Sequence, residues 1–437
     1  MKIELSYGKS TLGVTLPEHA RATVIRKPSF PVPASGAAVV EAALEAPIGC
    51  ARLDDVARGK KSACILICDI TRPVPNHLFL QPMIRRLMAA GIPPEGITVL
   101  VATGLHRPNE GEELAELVGD PWVLETVRVE NHFARDEAAH VDLGFTSKRR
   151  TPVGLDRRFV EAELRIATGL VEPHFMAGYS GGRKVVAPGV AHHETIRTFH
   201  SARFMEDPAA VQCNLEGNPL HEEQLEIVRM LGDVYALNTV IDEHRNLVYA
   251  NFGEIIESHL AAVEFTRAYT EIPVGRRFHT IVTSSAGYPL DQTYYQTVKG
   301  MVTPLDILEP GGTLIVASQC AEGFGSAHFR ESHGRLIALG PDAFLQTLLA
   351  KSLADVDEWQ SEMQLKPMRV ASIVLYSDGL SDADHAMTGV TRTASVEEAI
   401  ARSIESHGDP EIAVIPEGPY VVPFARAPGG VDAKAVT

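Results

Sequence analysis

Short runs of β-branched and aliphatic residues recur along the chain, and the stretches between them carry helical periodicity. That alternation constrains the fold more than any other feature, because it is the rhythm of an α/β protein built on mostly parallel sheets. The strand candidates are SACILICDI (62–70), ITVLVATG (97–104), LRIATGLV (164–171), HTIVTSS (279–285), TLIVAS (313–318), RVASIVLYSD (369–378) and EIAVIPEG (411–418). Between them, QPMIRRLMAAG reaches a helix stop at Gly91, and NEGEELAELVGD carries acids in its first turn and stops at Gly119.

A chain of 437 residues is too long for one simple core. A Pro/Gly-containing joint, TEIPVGRRF (270–278), precedes a fresh strand–helix series. The expected division is an N-terminal α/β domain over 1–270, a C-terminal α/β domain over 271–424, and a loose tail over 425–437. The active site is expected in the cleft between the two domains. The formal charge of −16 argues against nucleic acid and anionic membrane as partners, since both call for basic patches. No stretch reaches the roughly 18 uninterrupted apolar residues of a membrane span, and MKIELSYGKSTLG lacks the pattern of a signal peptide. Five scattered cysteines without a CxxC pair read as reduced thiols, so the expected location is cytoplasmic.

The densest chemistry lies in VEPHFMAGYSGGRKVVAPGVAHHETIRTFH (171–200), which places four histidines and Lys184 around a glycine-rich loop. As a Walker A motif GYSGGRK fails, because Lys184 is followed by Val185 instead of Ser or Thr. It still suits an anion nest of backbone N–H groups, or an ordinary tight turn. HHETIRTFH fails as a zinc-protease helix, since Arg197 stands where the second histidine is needed. EGFGSAHFR (322–330) reads GxGxxH, which does not support a dinucleotide site, and no GxSxG elbow is present.

One internal echo stands out. VATGLHRP (101–108) and IATGLVEPH (166–174) share Ala-Thr-Gly-Leu at a strand end, and each leads to a histidine, His106 and His174. Ligands of open parallel sheets bind beyond the carboxyl ends of strands, so two strands deliver two imidazoles to one crevice. The competing explanation is a chance repeat of a common strand-to-loop sequence. DITRPVP (69–75) also follows a strand and sets Asp69, Thr71 and Arg72 for a polar ligand, or for an Asp–Arg pair that ties down the turn. In YPLDQTYYQTVKGM (288–301), Gln296 and Lys299 share one helical face suited to a carboxylate, or form a solvated face.

Taken in order, LSYGKSTLGVTLP, DITRP, TGLHRP, EPHF, GYSGGRK, GNPLHEE (217–223), YYQTVKGM and the EGFGS loop resemble the nickel-dependent lactate racemase family over nearly the whole chain. The resemblance implies a nickel pincer nucleotide, a Ni(II)-pyridinium-3,5-bisthiocarboxylate mononucleotide, covalently attached at Lys184. It implies that His200 completes the nickel coordination beside the Lys184-linked group, in the square-planar geometry Ni(II) favours. His106 and His174 are implied as the acid/base pair, and Asp69, Ile70, Thr71 and Arg72 as the loop that holds the cofactor. Arg72, Tyr295, Gln296, Lys299 and Trp359 are implied around the substrate. His192 and His193 have no role in this scheme.

The implied activity is racemisation or epimerisation of a 2-hydroxy acid, lactate or a larger relative. Removing hydride and returning it to the opposite face avoids a carbanion, and each enantiomer then needs its own base for the hydroxyl proton. Met176 beside the EPHF motif points to a bulkier substrate, and Arg183 is a second cation for a cofactor phosphate or a further carboxylate. Proteins that build the cofactor are implied as transient partners. The alternatives are a sugar-acid epimerase or a dicarboxylic or aromatic hydroxy-acid racemase of the same family, a cofactor-free small-anion binding protein, and a zinc hydrolase that leaves Lys184 without a task.

Overall fold

The computed structural model describes residues 1–426, so of the expected tail over 425–437 all but Ala425 and Arg426 lies outside the described residues. The chain forms two compact units, and neither is one contiguous segment. One comprises Ser29–His200 with Glu206–Ala268, and the other comprises Met1–Pro28, Ser201–Met205 and the residues from Tyr269 onward. A single cut at 270 therefore misplaces the first 28 residues, because a strand near the N-terminus joins a sheet made mostly of C-terminal strands.

Each unit is organised on a six-stranded sheet. In chain order the strands are β1 (Arg21–Val24), β2 (Ala63–Cys68), β3 (Ile97–Ala102), β4 (Arg128–Asn131), β5 (Leu164–Leu170) and β6 (Tyr235–Ile241). They continue as β7 (Leu247–Glu254), β8 (Phe278–Ser284), β9 (Leu308–Ala317), β10 (Ser372–Tyr376), β11 (Thr391–Arg392) and β12 (Glu411–Ile415). The first sheet runs β7-β6-β5-β2-β3-β4, parallel except for the β6–β7 pair. The second runs β11-β10-β9-β8-β12-β1 and is parallel throughout. The fold class is thus α/β with mostly parallel sheets, as the alternating sequence pattern requires.

The central strands are apolar on both faces because both are covered. In β2, ACILIC, the first five residues are buried, and Ile65 and Ile67 join a core with Phe79, Met83, Ile84 and Leu87 of the helix α1 (Asn76–Ala89). The second unit repeats the arrangement with Val282, Ile315 and Val414 packed on Ile400 and Ile404. Among the described residues, no helix is long and apolar enough to cross a membrane. The five cysteines form no disulfide.

Strand order decides where a ligand can bind. From β2 the first sheet grows outward in both directions, to β3 and β4 on one side and to β5, β6 and β7 on the other. Loops leaving the carboxyl ends of β2 and β5 therefore diverge and leave a crevice, the usual binding position of an open parallel sheet. In the second sheet β8 holds the corresponding position, between β9 and β12.

Candidate active site

Three adjacent parallel strands, β5, β2 and β3, end beside one another, and their loops carry most of the residues singled out in the sequence. The ATGL echo is explained by position, since its two copies close β3 and β5 on either side of β2. The repeated threonine does the same work twice. Buried Thr103 donates its hydroxyl to the His132 carbonyl at 2.7 Å, and buried Thr168 donates to the Leu66 carbonyl at 2.8 Å.

Asp69 follows β2 directly and is 5% exposed. One of its carboxylate oxygens accepts from the Thr71 hydroxyl at 2.6 Å and from the Thr71 N–H at 3.2 Å. The other lies 2.6 Å from Nδ1 of His106. Burial alone would raise the Asp69 pKa, but the bonds and charges of His106, Thr71 and Arg72 outweigh it and hold the group below the ordinary carboxylate value. A carboxylate that accepts at Nδ1 fixes the tautomer, with the proton on Nδ1 and the lone pair on Nε2. The His106 side chain is 63% exposed, so that lone pair is within reach of a ligand.

Two further contacts brace this corner. Asn109 accepts from the Ile70 N–H at 3.4 Å and exchanges bonds with Asn131 on β4. Arg107 grips Glu113 through two 2.7 Å bonds. Arg72, expected at both cofactor and substrate, places its guanidinium 2.5 Å from Glu172, which ties the loop after β2 to the loop after β5. Asn109 stands just beyond the TGLHRP motif and Glu172 opens the EPHF motif, but neither was assigned a role from the sequence.

His174 lies in the two-residue strand Pro173–His174, paired antiparallel with Gly178–Tyr179. It is 6% exposed and stacks on Phe175 at a centroid distance of 4.8 Å. Its Nδ1 accepts long contacts from the N–H groups of Met176 (3.4 Å) and Ala177 (3.3 Å). In the neutral ring the proton therefore belongs on Nε2, the reverse of His106. Met176 itself is buried.

The glycine-rich loop turns into the short helix α2 (Arg183–Val186), which carries Lys184 in its first turn. Gly182 at the helix cap has φ +48°, and a Cβ there would lie 2.8 Å from the His259 side chain, so only glycine fits. Gly169 on β5 serves α2 from below, since a Cβ there would meet Val185 at 2.7 Å.

Arg183 is not placed to meet a phosphate or a second carboxylate. It is 1% exposed and donates to the carbonyls of Ala177 (3.0 Å), Tyr179 (2.9 Å) and Gly181 (3.3 Å), and to Nδ1 of His221 at 2.9 Å. Nε2 of His259 lies 2.9 Å away. Among the described residues no carboxylate pairs with it, and burial pulls its pKa down to about 9. The cation holds the loop from inside, a use that a tripeptide motif in a sequence does not reveal.

His200 closes the helix α3 (His193–Phe199) as its C-cap. Its Nδ1 donates to the Ile196 carbonyl at 2.8 Å, which leaves Nε2 with the lone pair. Burial lowers its pKa to about 4, and the nearby charges of Lys184 and His106 push the same way against the Ile196 bond. These electrostatic couplings bring His106, Lys184 and His200 into one neighbourhood. Lys184, Arg72 and Asp69 are likewise felt by the half-buried Cys68 thiol, whose pKa desolvation raises to about 11.

The second unit carries the remaining residues at the carboxyl end of β8. Thr293 caps the helix α4 (Tyr294–Val302), on which Gln296 and Lys299 lie three apart. The Tyr295 hydroxyl accepts from the Trp359 indole N–H at 3.3 Å, and its backbone carbonyl accepts from Gln360 at 2.6 Å. The Gln296 side-chain oxygen is buried without a hydrogen-bond partner. So is the hydroxyl of Ser285, which the sequence reading missed and which directly follows β8. Buried polar atoms without partners are uncommon and mark places where a ligand can supply the missing bond.

Comparisons with known proteins agree with this architecture. Residues 7–212 match the family model described as the lactate racemase N-terminal domain, and residues 276–422 match the lactate racemase C-terminal domain. The chain is 32% identical over 430 residues to a lactate racemase of Thermoanaerobacterium thermosaccharolyticum, covering 96% of this chain and 98% of that protein. It is 30% identical over 433 residues to a lactate racemase of Lactiplantibacillus plantarum, covering 96% and 99%. The solved lactate racemase apoprotein of T. thermosaccharolyticum matches with a TM-score of 0.90 at 29% identity, over 97% of this chain and all of that one.

Proposed function

The chain belongs to the lactate racemase family, and from that premise we propose that it inverts the carbinol carbon of a 2-hydroxy acid, lactate or a larger relative. The observation that carries the reading is the 2.6 Å contact between Asp69 and Nδ1 of His106 at a strand-end crevice. It keeps an exposed Nε2 lone pair ready for a hydroxyl proton, which is what a general base requires.

The residues fit a nickel pincer nucleotide held by Lys184 and His200. His200 has the donor chemistry of a metal ligand, a neutral ring whose Nδ1–H is engaged by a backbone carbonyl. Lys184 stands in the first turn of α2, directly after a glycine-rich loop that Arg183 holds from inside through three of its carbonyls. When bound, that group would supply the hydride acceptor that a carbinol C–H next to a carboxylate needs. Such a cofactor also requires transient contact with the proteins that build it.

The protein's own part is binding and proton handling. Gln296 and Lys299 hold the substrate carboxylate, with Tyr295 and Trp359 as walls, and Arg72 fixes the loop that orients Asp69. For one enantiomer His106 accepts the hydroxyl proton through Nε2, while His174, as the imidazolium, returns a proton from Nε2 to the oxygen of the inverted product and is left neutral. The other enantiomer runs the same exchange in reverse.

The test is a panel of enantiopure 2-hydroxy acids (lactate, malate, aromatic and sugar acids) incubated with protein made alongside the cofactor-building proteins and nickel. Loss of optical purity for at least one acid is expected, with about one nickel per chain and a mass adduct absent from Lys184→Ala. Nickel-free protein without an adduct, inert on every acid, would sink the proposal.

A further inference from the structure

We propose that Glu137, His192 and His193 form a second metal site, for a divalent zinc-class ion, outside the candidate active site. Nε2 of His192 lies 3.0 Å and Nε2 of His193 3.7 Å from one and the same Glu137 oxygen, and the three donor atoms all fall within 4.8 Å of one another. Those separations straddle the edge of about 3.3 Å expected for tetrahedral ligands at bonds of about 2.05 Å.

The donors are held from the backbone. The His192 N–H bonds the Gly154 carbonyl at 2.8 Å, and the His193 N–H bonds the Ala134 carbonyl at 2.9 Å. Gly154 is required there, because a Cβ would lie 2.7 Å from the His192 Cβ. Glu137 opens a 3₁₀ turn capped by Asp136.

A second observation concerns the buried imidazoles of this cluster. His192 is only 9% exposed, and its Nε2, although 3.0 Å from the Glu137 oxygen, has no hydrogen-bond partner. The atoms converge without the alignment of a hydrogen bond, as ligands around an ion do. Next in the row stands His140, 8% exposed, with its ring centroid 5.0 Å from that of His192. Its Nδ1 bonds the Asp136 carbonyl at 2.7 Å, while its buried Nε2 is likewise unpartnered, which makes it a reserve donor of the usual kind. Binding through Nε2 of His192 moves its proton to Nδ1 and gives up only the 3.4 Å contact from the Glu194 N–H.

The site lies at the start of α3, and His200 ends that helix. At about 1.5 Å per residue the two ends are roughly 10 Å apart. An ion clamping the first residue of α3 to the 137–139 turn therefore fixes the helix that presents His200.

The experiment is a Co²⁺ titration of the full-length chain, made without the cofactor-building proteins and dialysed against chelator, followed by visible d–d absorption. One saturable equivalent is expected, displaced by Zn²⁺ and retained in His200→Ala. Glu137→Gln, a change at an exposed carboxylate, and His193→Ala are each expected to weaken it about tenfold or more. Zn²⁺ should also raise the melting temperature of the unmodified chain by more than that of Glu137→Gln at the same concentration. Absence of a saturable equivalent, or binding that survives Glu137→Gln and disappears in His200→Ala, overturns the proposal.

Discussion

A single proton position at His106 rests on Asp69. Asparagine at 69 keeps the size of the side chain but offers an amide N–H in place of a carboxylate oxygen, so the imidazole loses its reason to keep the proton on Nδ1. Asp69→Asn is expected to slow racemisation in both directions by about 100-fold or more while leaving the melting temperature nearly unchanged. Initial rates from each enantiomer, with a thermal melt, check this. Arg183 makes the opposite forecast. Arg183→Met removes the donors that satisfy three buried carbonyls, and the loss of stability is expected to be about 3 kcal/mol, read by denaturant unfolding. Asp69, His106, His174 and Lys184 were singled out in the sequence because each stands in a motif at a strand end or loop, and His200 through the family resemblance. Arg183 was legible as a cation and misread as a ligand contact, because its burial depends on His221 and His259, far away along the chain.

The strands that were read correctly are the apolar ones covered on both faces, β2, β3, β5, β8, β9, β10 and β12. Those missed lack that signal for identifiable reasons. β1 (RATV), β4 (RVEN) and β11 are short edge strands with largely exposed or half-exposed residues. β6 and β7 each carry a buried asparagine, and the pair is satisfied across the strands by the 3.0 Å bond between Asn238 and Asn251. A polar residue in mid-strand breaks the apolar pattern in the sequence while it costs the folded sheet little. β2 is the element on which both neighbours of the site lean. Leu66→Ala in its fully buried centre is expected to destabilise the chain by about 3 kcal/mol, measured by denaturant midpoint.

Several imidazoles throughout the molecule are held in neutral form. His200 and His333 have pKa values lowered to about 4 and His221 to about 3, each chiefly by burial. Unfolding returns these rings to water, where each takes up a proton near the ordinary value of 6.5, so the unfolded chain binds more protons below that pH. Stability is therefore expected to be at its full value above about pH 6.5 and to fall as pH drops toward about 4, as urea midpoints measured across that range will show. Asp69, whose pKa is also depressed, contributes in the same sense, and its share is lost at lower pH, as the pH falls through the ordinary carboxylate value toward that of the folded chain. At this scale the sequence disclosed the α/β class, but not that the first 28 residues belong with the later strands, since β1 pairs with β12 across nearly the whole chain.

The central claim is a two-base inversion of a 2-hydroxy acid, and its most direct test is a chiral time course begun from each pure enantiomer of the acid that the panel identifies. The unmodified holoprotein should carry both reactions to the same racemic end point, and His106→Ala and His174→Ala should each slow them by about 100-fold or more. If either histidine proves dispensable in both directions, the two-base account is wrong.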